Sequence, residues 1–341
     1  MMRSLTLTIA LVFAALGGPV PAMAGTARDV VAPPASIVET MITLGEGELA
    51  VRAAITMPAQ ATRVPAIVLV GGSGPGTLDL NVGGSTIHRD LAWGLASHGV
   101  AVIRFEKRST AHPEVFDRRG SPPTLDEEFR EEALAALKTL SADPRVDGSR
   151  LYVVGGSQGG ALAAGLANRY GAAGAVILSS SPRTVGEIIA QQADLALEQA
   201  GNEEGREGAR RMRATADRIQ ALTPTDNPDE VIQGRTAAYW LDMFADRPLA
   251  QIDILLNRGG RVLVVQGARD TVMSMIDWKG WNDALAGRPN VDLRLYANLN
   301  HLLQEGVGPM TNAEYEWTRP VSDAVIEDMA TWIKGTIPAR P

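Results

Sequence analysis

Three polar residues could together form a nucleophilic catalytic site, and each follows a segment typical of a β-strand. Ser157 lies in the glycine-rich segment 155–159, Gly-Gly-Ser-Gln-Gly, directly after the apolar residues 151–154. Asp270 and His301 follow two later segments of the same kind. A serine hydroxyl needs a base to take its proton, and an imidazole base needs a carboxylate to hold its tautomer. The order Ser, Asp, His therefore predicts Ser157 as nucleophile, His301 as base and Asp270 as the carboxylate that orients His301.

The Gly-x-Ser-x-Gly spacing is a weak signal by itself, because the chain contains 35 glycines. Its context makes it more specific, since strand-type residues precede it and the small residues 159–167 that follow are typical of a helix. A sharp turn from strand to helix strains the serine backbone and leaves no room for side chains at positions 155 and 159. The alternative interpretation is a glycine-rich turn that binds a phosphate or no ligand.

The base is assigned by position among the four histidines of the chain. His88 begins a predicted helix, His98 precedes the glycine that ends it, and His112 lies in a polar loop. His301 follows the last predicted strand, where the base of such a triad is expected.

The carboxylate is assigned in the same way. Asp270 ends the segment 264–270, which has the pattern of a strand followed by a tight turn. The alternative for Asp270 is an ordinary turn or helix-cap aspartate. Asp277 and Asp283 are the competing carboxylates, and they lie within or at the start of the following predicted helix.

An attacked carbonyl develops an oxyanion, which requires preorganised N–H donors. One expected donor is the amide of Gln158, the residue after the nucleophile. The other is expected in the loop 71–74, Gly-Gly-Ser-Gly, and we predict the amide of Ser73. A tight turn with no catalytic part is the alternative for this loop.

The rest of the pattern alternates between strand and helix periods and predicts an α/β fold. Segments 38–44 and 49–57 are predicted to form an antiparallel hairpin at a sheet edge. Continuous apolar runs such as 65–70 are typical of parallel strands that are covered on both faces. These strands and the helices between them predict a doubly wound, mostly parallel sheet formed by residues 37–181 and 251–337.

The alternation stops over residues 182–250, where the sequence predicts no strand. The segment has three predicted helices, at 188–200, 207–222 and 229–244. We interpret it as a helical cap or lid inserted after the sixth strand, although an elaboration of the outer helix layer is an alternative. Trp240, Met243 and Phe244 share helical spacing there. They are predicted either as the core of the lid or as the lining of an apolar acyl pocket.

The first 24 residues have the pattern of a secretory signal peptide. Arg3 provides a positive start, residues 5–16 are apolar, and residues 22–24, Ala-Met-Ala, match a cleavage site. We expect removal on export to the periplasm or beyond, with residues 25–36 left as a flexible lead-in. An uncleaved membrane anchor is the alternative. The chain has no cysteine, so no disulfide stabilises the exported protein.

The composition argues against several other classes of protein. The net charge is -7 and no basic tract is present, which disfavours binding to nucleic acid or to an anionic membrane. No two histidines have the spacing of a zinc motif, and segment 155–160 lacks the lysine of a phosphate-binding loop. We therefore expect neither a metal ion nor a cofactor.

Five motifs taken together resemble a known family. They are 72–75 (Gly-Ser-Gly-Pro), 105–108 (Phe-Glu-Lys-Arg), the turn at Ser157, 267–270 (Gly-Ala-Arg-Asp) and 299–303 (Leu-Asn-His-Leu-Leu). Over about residues 38–335 the chain resembles a bacterial branch of the α/β-hydrolase superfamily, the esterases and acyl hydrolases related to dienelactone hydrolases and serine aminopeptidases. The resemblance implies an α/β-hydrolase fold with an inserted helical cap.

The chain also departs from the pattern of that branch. Gly156 stands where histidine is common, and Gln158 where glutamate is common. Glu106 replaces the usual aspartate, Ser109 replaces the usual glycine, and the loop 77–79 lacks the common arginine. These differences concern the acyl pocket rather than the triad.

The sequence thus predicts an exported serine hydrolase that cleaves a small-molecule carboxylic ester through an acyl-enzyme. A peptidase or amidase of the same fold is the nearest alternative. It would need a cap carboxylate to bind a free amine, and Glu187, Glu198 and Glu230 are available. A non-catalytic binding protein on this fold is a second alternative, but such a protein usually lacks a triad residue. Acyl length, alcohol group and oligomeric state remain open.

Overall fold

The structure, a computed structural model, describes residues 32–335, so the predicted signal peptide and most of the lead-in lie outside the described residues. Its central sheet has the strands β1 (Ile37–Leu44), β2 (Val51–Pro58), β3 (Val64–Val70), β4 (Ala101–Phe105), β5 (Val146–Gly156), β6 (Gly174–Leu178), β7 (Arg261–Gly267) and β8 (Val291–Tyr296). Their spatial order is β1-β2-β4-β3-β5-β6-β7-β8. β1 and β4 each pair with β2 in antiparallel fashion, and every other neighbouring pair in this sheet is parallel. The predicted mostly parallel sheet is confirmed.

Helices cover both faces of the sheet. They are α1 (Ile87–Ser97), α2 (Arg108–Ala111), α3 (Pro113–Arg119), α4 (Glu131–Ala142), α5 (Gln158–Tyr170), α6 (Val185–Gln199), α7 (Glu203–Gln220), α8 (Ala237–Ala245), α9 (Pro248–Asn257), α10 (Met275–Leu285) and α11 (Asp323–Ile333). Along β3, Ile67 and Leu69 belong to a core with α1 and α11, whereas Val68 and Val70 belong to a core with α4, α5, α9 and α10. Successive side chains of a strand point to opposite faces of the sheet, so a continuous apolar run is buried on both faces. Among residues 32–335, no helix is both long and apolar enough to cross a bilayer.

The segment between β6 and β7 is helical, with two differences from the predicted boundaries. A short antiparallel ribbon, Val231–Ile232 with Arg235–Thr236, lies where the sequence predicts no strand. The helix predicted from residue 229 begins instead at Ala237. The physical reason is a cap, because the Thr236 hydroxyl accepts a hydrogen bond from the amide of Tyr239 and ends the preceding ribbon.

The predicted boundary at residue 250 falls inside a helix. α9 begins at Pro248 and packs against α5 and β7 of the central layers, with Ile252 and Leu255 fully buried. Proline at the first helical position is favoured, because its missing N–H has no partner there in any helix. The division of the chain into cap and core stays a prediction.

Helix α8 is attached to the layers beneath it by buried ion pairs. Arg130, in the π-helical turn before α4, donates hydrogen bonds to Asp242 at 2.6 Å and to Asp246 at 3.1 Å. Arg235, in the ribbon, donates to Glu128 at 3.2 Å. Arg130 and Glu128 are buried, and removal of one partner from a buried pair leaves an uncompensated charge. These contacts therefore hold α8 in place.

The turn from β5 to α5 is packed too closely for side chains at two of its glycines. A Cβ atom added to Gly155 would lie 2.1 Å from the carbonyl oxygen of Gly159. One added to Gly159 would lie 2.4 Å from the carbonyl oxygen of Gly71. A Cβ atom on Gly156, by contrast, would meet no atom within 4 Å. The prediction that positions 155 and 159 have no room for a side chain is confirmed.

This difference gives a test with a matched control. Gly155→Ala and Gly159→Ala should each lower the free energy of unfolding by about 3 kcal/mol or more, because the added methyl must displace backbone. Gly156→Ala adds the same atoms in open space and should change it by less than about 1 kcal/mol. Urea denaturation of the three variants measures the effect, and equal destabilisation by all three would contradict the described packing.

Candidate active site

Ser157 lies at the strained turn between β5 and α5. Its backbone angles are φ 52° and ψ -120°, a conformation that costs about 1–3 kcal/mol for a residue other than glycine. Two contacts hold it there: its amide donates to the carbonyl of Leu178 at 2.9 Å, and its carbonyl accepts from the Ser180 hydroxyl at 2.7 Å. The end of β6 thus supports the turn, as expected for a serine that must project above a sheet edge.

The structure brings His301 and Asp270 together. The distance from His301 Nδ1 to Asp270 Oδ2 is 2.8 Å. The other carboxylate oxygen accepts hydrogen bonds from the amides of Val272 and Met273, at 2.8 and 2.9 Å. An ionised carboxylate can only accept, so a hydrogen bond to it requires the proton on Nδ1, which in a neutral imidazole leaves the lone pair on Nε2. This arrangement prepares His301 to act as a base through Nε2.

The competing carboxylates are paired elsewhere. Asp277 is fully buried, forms an ion pair with Arg183 at 2.7 Å and accepts a hydrogen bond from Ser181. Asp283 is paired with Lys279 at the surface of α10. Neither arrangement leaves the carboxylate to orient an imidazole, which favours Asp270.

The other three histidines occupy structural positions. Burial lowers the pKa of His88 to about 3, with further lowering by the charges of Arg104 and Lys107, so its ring is neutral. His98 Nδ1 contacts the carbonyl of Gly94 at 2.8 Å, one turn earlier in α1. His112 Nε2 contacts the carbonyl of Ala50 at 2.7 Å. These contacts support the choice of His301.

The two residues predicted to supply oxyanion donors lie in contact. The hydroxyl of Ser73 donates to Gln158 Oε1 at 2.8 Å. A Cβ atom added to Gly72 would lie only 2.9 Å from Cβ of Ser157, so the loop 71–74 touches Ser157 directly. The amide of Gln158 opens α5, and the first amides of a helix have no intrahelical acceptor. The helix dipole also favours negative charge at this end.

The side chain of Gln158 connects this loop to helix α8. Its Nε2 atom donates to the hydroxyl of Tyr239 at 2.7 Å and contacts the sulfur of Met243. Burial raises the pKa of the Tyr239 hydroxyl above its usual range, so the hydroxyl stays protonated. Met243 therefore lies beside the turn that carries Ser157.

The three predicted cap residues have different environments. Trp240 is fully buried, and its indole N–H donates to the carbonyl of Ile232 at 3.0 Å, which makes it part of the packing around α8. Met243 and Phe244 are half-buried against the same core. Trp240 could contact an acyl chain only if the packing around α8 rearranged. We therefore expect an acyl contact from Met243 or Phe244 instead.

One buried residue beside the site has a role that the sequence analysis misses. Lys107 follows β4, and its ammonium group donates to the carbonyls of Gly72 and Gly74. Burial lowers its pKa to about 8, against the opposing charge of Glu128. The motif Phe-Glu-Lys-Arg contains it, but a lysine after a strand is ordinarily solvent-exposed and carries no signal of this contact. In the described part of the chain, no group of three or more His, Asp or Glu side chains could hold a metal ion.

These features define a class of protein. Eight strands in this order, with Ser157 after β5, Asp270 after β7 and His301 after β8, have the arrangement of an α/β hydrolase. Residues 67–308 match the sequence profile of the alpha/beta hydrolase family, and the chain belongs to that family. The family predicted from the five motifs is thereby confirmed.

Relatives of known sequence or structure agree with this assignment. The chain is 34% identical over 282 residues to esterase EstD of Thermotoga maritima. The aligned residues cover 82% of this chain and 64% of that relative. The chain thus spans less than two thirds of the relative's length. Est1E of Butyrivibrio proteoclasticus has a TM-score of 0.53 at 16% identity, with 87% of this chain and 98% of that chain covered. A hypothetical protein of Pseudomonas aeruginosa has a TM-score of 0.55 at 17% identity, with 90% and 96% covered. At these identities the two structures show a shared fold.

The position of Asp270 can be tested by the reactivity of Ser157. Asp270→Asn should slow labelling by a fluorophosphonate by roughly two to four orders of magnitude, because the amide favours the wrong imidazole tautomer. Asp283→Asn removes the same charge from the surface and should leave the labelling rate unchanged. Intact-protein mass spectrometry over time measures both rates, and a similar rate for the two variants would show that the carboxylate has been misplaced.

Proposed function

We propose that this protein is a serine hydrolase that cleaves a carboxylic ester through a Ser157–His301–Asp270 triad. The observation that carries the proposal is the 2.8 Å contact between His301 Nδ1 and Asp270 Oδ2. It is supported by the positive φ of Ser157 at the end of β5, since Ser157, Asp270 and His301 each follow a strand of the parallel part of the sheet. Backbone strain of this kind clusters at active sites, which is consistent with a function for the Ser157 side chain.

The proposed reaction has two halves. The hydroxyl of Ser157 attacks the carbonyl carbon while His301 Nε2 takes its proton, and the resulting imidazolium is stabilised by Asp270. The amides of Ser73 and Gln158 stabilise the oxyanion. His301 then protonates the leaving alkoxide, an acyl-enzyme remains on Ser157, and water activated by His301 releases the acid.

Two observations favour an ester over a peptide. The curated relative is named as an esterase. Of the cap carboxylates that could bind a free amine, Glu187 forms the capping box of α6 with Thr184, and Glu230 is paired with Arg218. Glu198 lies exposed near the end of α6. These contacts occupy two of the three carboxylates and leave little provision for an amine.

We also propose that the protein is exported, on the basis of the signal-peptide pattern in residues 1–24. N-terminal sequencing of the protein recovered from periplasm or culture medium should begin at Gly25. Recovery only from the cytosol, with residue 1 or 2 at the terminus, would contradict the proposal.

A comparison of two substrate classes tests the activity. Wild-type protein should hydrolyse short acyl esters of p-nitrophenol and leave aminoacyl p-nitroanilides nearly untouched. Ser157→Ala and His301→Ala should each lower kcat by roughly 10⁴-fold or more, and the double variant should be little worse, because triad residues act as a unit. A preference for the anilides would favour a peptidase. Near-normal turnover by Ser157→Ala would rule out the nucleophile.

The position of Met243 predicts an effect on substrate choice. Met243→Ala should shift the preferred acyl length and change kcat/KM by about fourfold for each methylene whose contact is lost, while acetate esters react normally. A series of p-nitrophenyl esters of increasing acyl length measures the profile. Phe244→Ala is the neighbouring comparison on α8. A shift in Phe244→Ala alone would place the acyl contact on the other side of the helix, and parallel profiles throughout would place the pocket elsewhere.

A further inference from the structure

We infer that Lys107 is a positioning residue for the oxyanion hole, which acts by holding and polarising the peptide between Gly72 and Ser73. The inference rests on the proposed function, because it concerns the donor that stabilises the oxyanion. Lys107 belongs neither to the triad nor to the predicted donors, and it acts through the backbone of the loop 71–76.

The loop 71–76 is folded around the lysine side chain. The ammonium donates to the carbonyl of Gly72 and, at 3.0 Å, to that of Gly74, so it binds the carbonyls on both sides of Ser73. The amide of Lys107 donates to the carbonyl of Gly76 at 2.8 Å. A Cβ atom on Gly76 would lie 2.5 Å from Cγ of Lys107, so the methylene stem fills the space beside the loop. The loop has few other ways to hold its backbone, because four of its six residues are glycine.

Because a peptide unit is planar, the contact of Lys107 with the Gly72 carbonyl also fixes the direction of the Ser73 N–H. The carbonyl of Gly72 and the N–H of Ser73 belong to one peptide unit, and no cis peptide occurs in the described residues. In a trans peptide the two groups point in opposite directions. Since the carbonyl points at the ammonium, the N–H points away from it. A Cβ atom on Gly72 would lie 2.9 Å from Cβ and 3.5 Å from Oγ of Ser157, so the residue that carries this carbonyl packs against Ser157, and the proposed direction of the N–H is toward that side chain.

The positive charge adds to the geometry. A cation on the carbonyl oxygen draws electron density from the peptide and strengthens its N–H as a donor, since linked hydrogen bonds polarise one another. The contact therefore both aims the amide and improves it. A neutral donor could fix the loop equally well, but it would polarise the peptide less than an ammonium does.

The surroundings keep the charge despite its cost. A buried ammonium is unfavourable unless it is paired. Glu128, itself fully buried, lies 3.4 Å from the ammonium and also accepts from Arg235, and the ring of Phe129 lies 4.2 Å from it. His88, on α1, is neutral, whereas burial and the positive charge of Arg235 act together to lower the pKa of Lys107. The ammonium is thus retained at a site where an apolar side chain would pack without this cost.

Removal of the ammonium with the stem kept provides the test. Lys107→Met should lower kcat by about 10- to 100-fold with little change in KM, because the ground-state carbonyl depends on the oxyanion donors less than the tetrahedral intermediate does. The inhibition constant of an aliphatic trifluoromethyl ketone should rise by the same factor, since its adduct with Ser157 places an oxyanion in the hole. The wild-type kcat should also decline as the pH rises through about 8, where Lys107 loses its proton, and this decline should be absent in Lys107→Met.

Two further variants keep the test decisive. Lys107→Met leaves Glu128 without its lysine partner, so Lys107→Met/Glu128→Gln provides the same loss of ammonium without the orphaned charge, and it should show the same fall in kcat. Leu137→Ala weakens a buried core of α4 that includes no residue of the loop 71–76, and it should lower stability with kcat unchanged. A folded lysine variant with wild-type kcat and ketone inhibition would overturn the inference while wild-type esterase activity stands. A wild-type protein that hydrolyses no ester would instead overturn the proposed function.

Discussion

The candidate site depends on the close contact of three backbone segments: the end of β3, the turn after β5 and the first turn of α5. The carbonyls of Val70 and Gly71 lie where a side chain on Gly159 would be, and the carbonyl of Gly159 lies where one on Gly155 would be. Only glycine allows this approach. As a result the loop after β3 touches Ser157 at Gly72, next to the residue proposed as an oxyanion donor.

The cap segment meets this backbone arrangement through side chains. The side-chain amide of Gln158 contacts Ser73 on the loop after β3, and it also contacts Tyr239 and Met243 on α8. The residue proposed to meet an acyl chain and the residue proposed to bind the oxyanion thus share a hydrogen-bonded neighbour. A glutamate at position 158 could not donate to Tyr239 and would add a negative charge beside the Ser73 hydroxyl. The amide provides a donor and an acceptor at once.

Several buried charged side chains lie near the loop after β3 and helix α8. Lys107, Glu128 and Arg235 form one linked group, and Arg130 joins α8 to the turn that carries Glu128. Such groups contribute little to stability when compared with apolar residues of similar size, because desolvation offsets the attraction. They do define a unique arrangement, since a shifted helix would leave a charge unpaired. The geometry of the loop after β3 and the position of α8 are therefore set by the same contacts.

The layered α/β fold and the contact of Asp270 with His301 could be predicted from the sequence, because apolar runs mark parallel strands and the carboxyl ends of such strands share one edge of a sheet. The glycines at 155 and 159 could be interpreted in the same way, since a tight turn is local. Only the folded structure shows that Trp240 is buried in the packing around α8 while Met243 contacts Gln158. Helical spacing shows which residues share a face, but not what that face meets. The contact of Lys107 with Gly72 likewise joins the loop after β4 to the loop after the neighbouring strand β3. A contact between segments that are distant in sequence has no local sequence pattern from which it could be predicted.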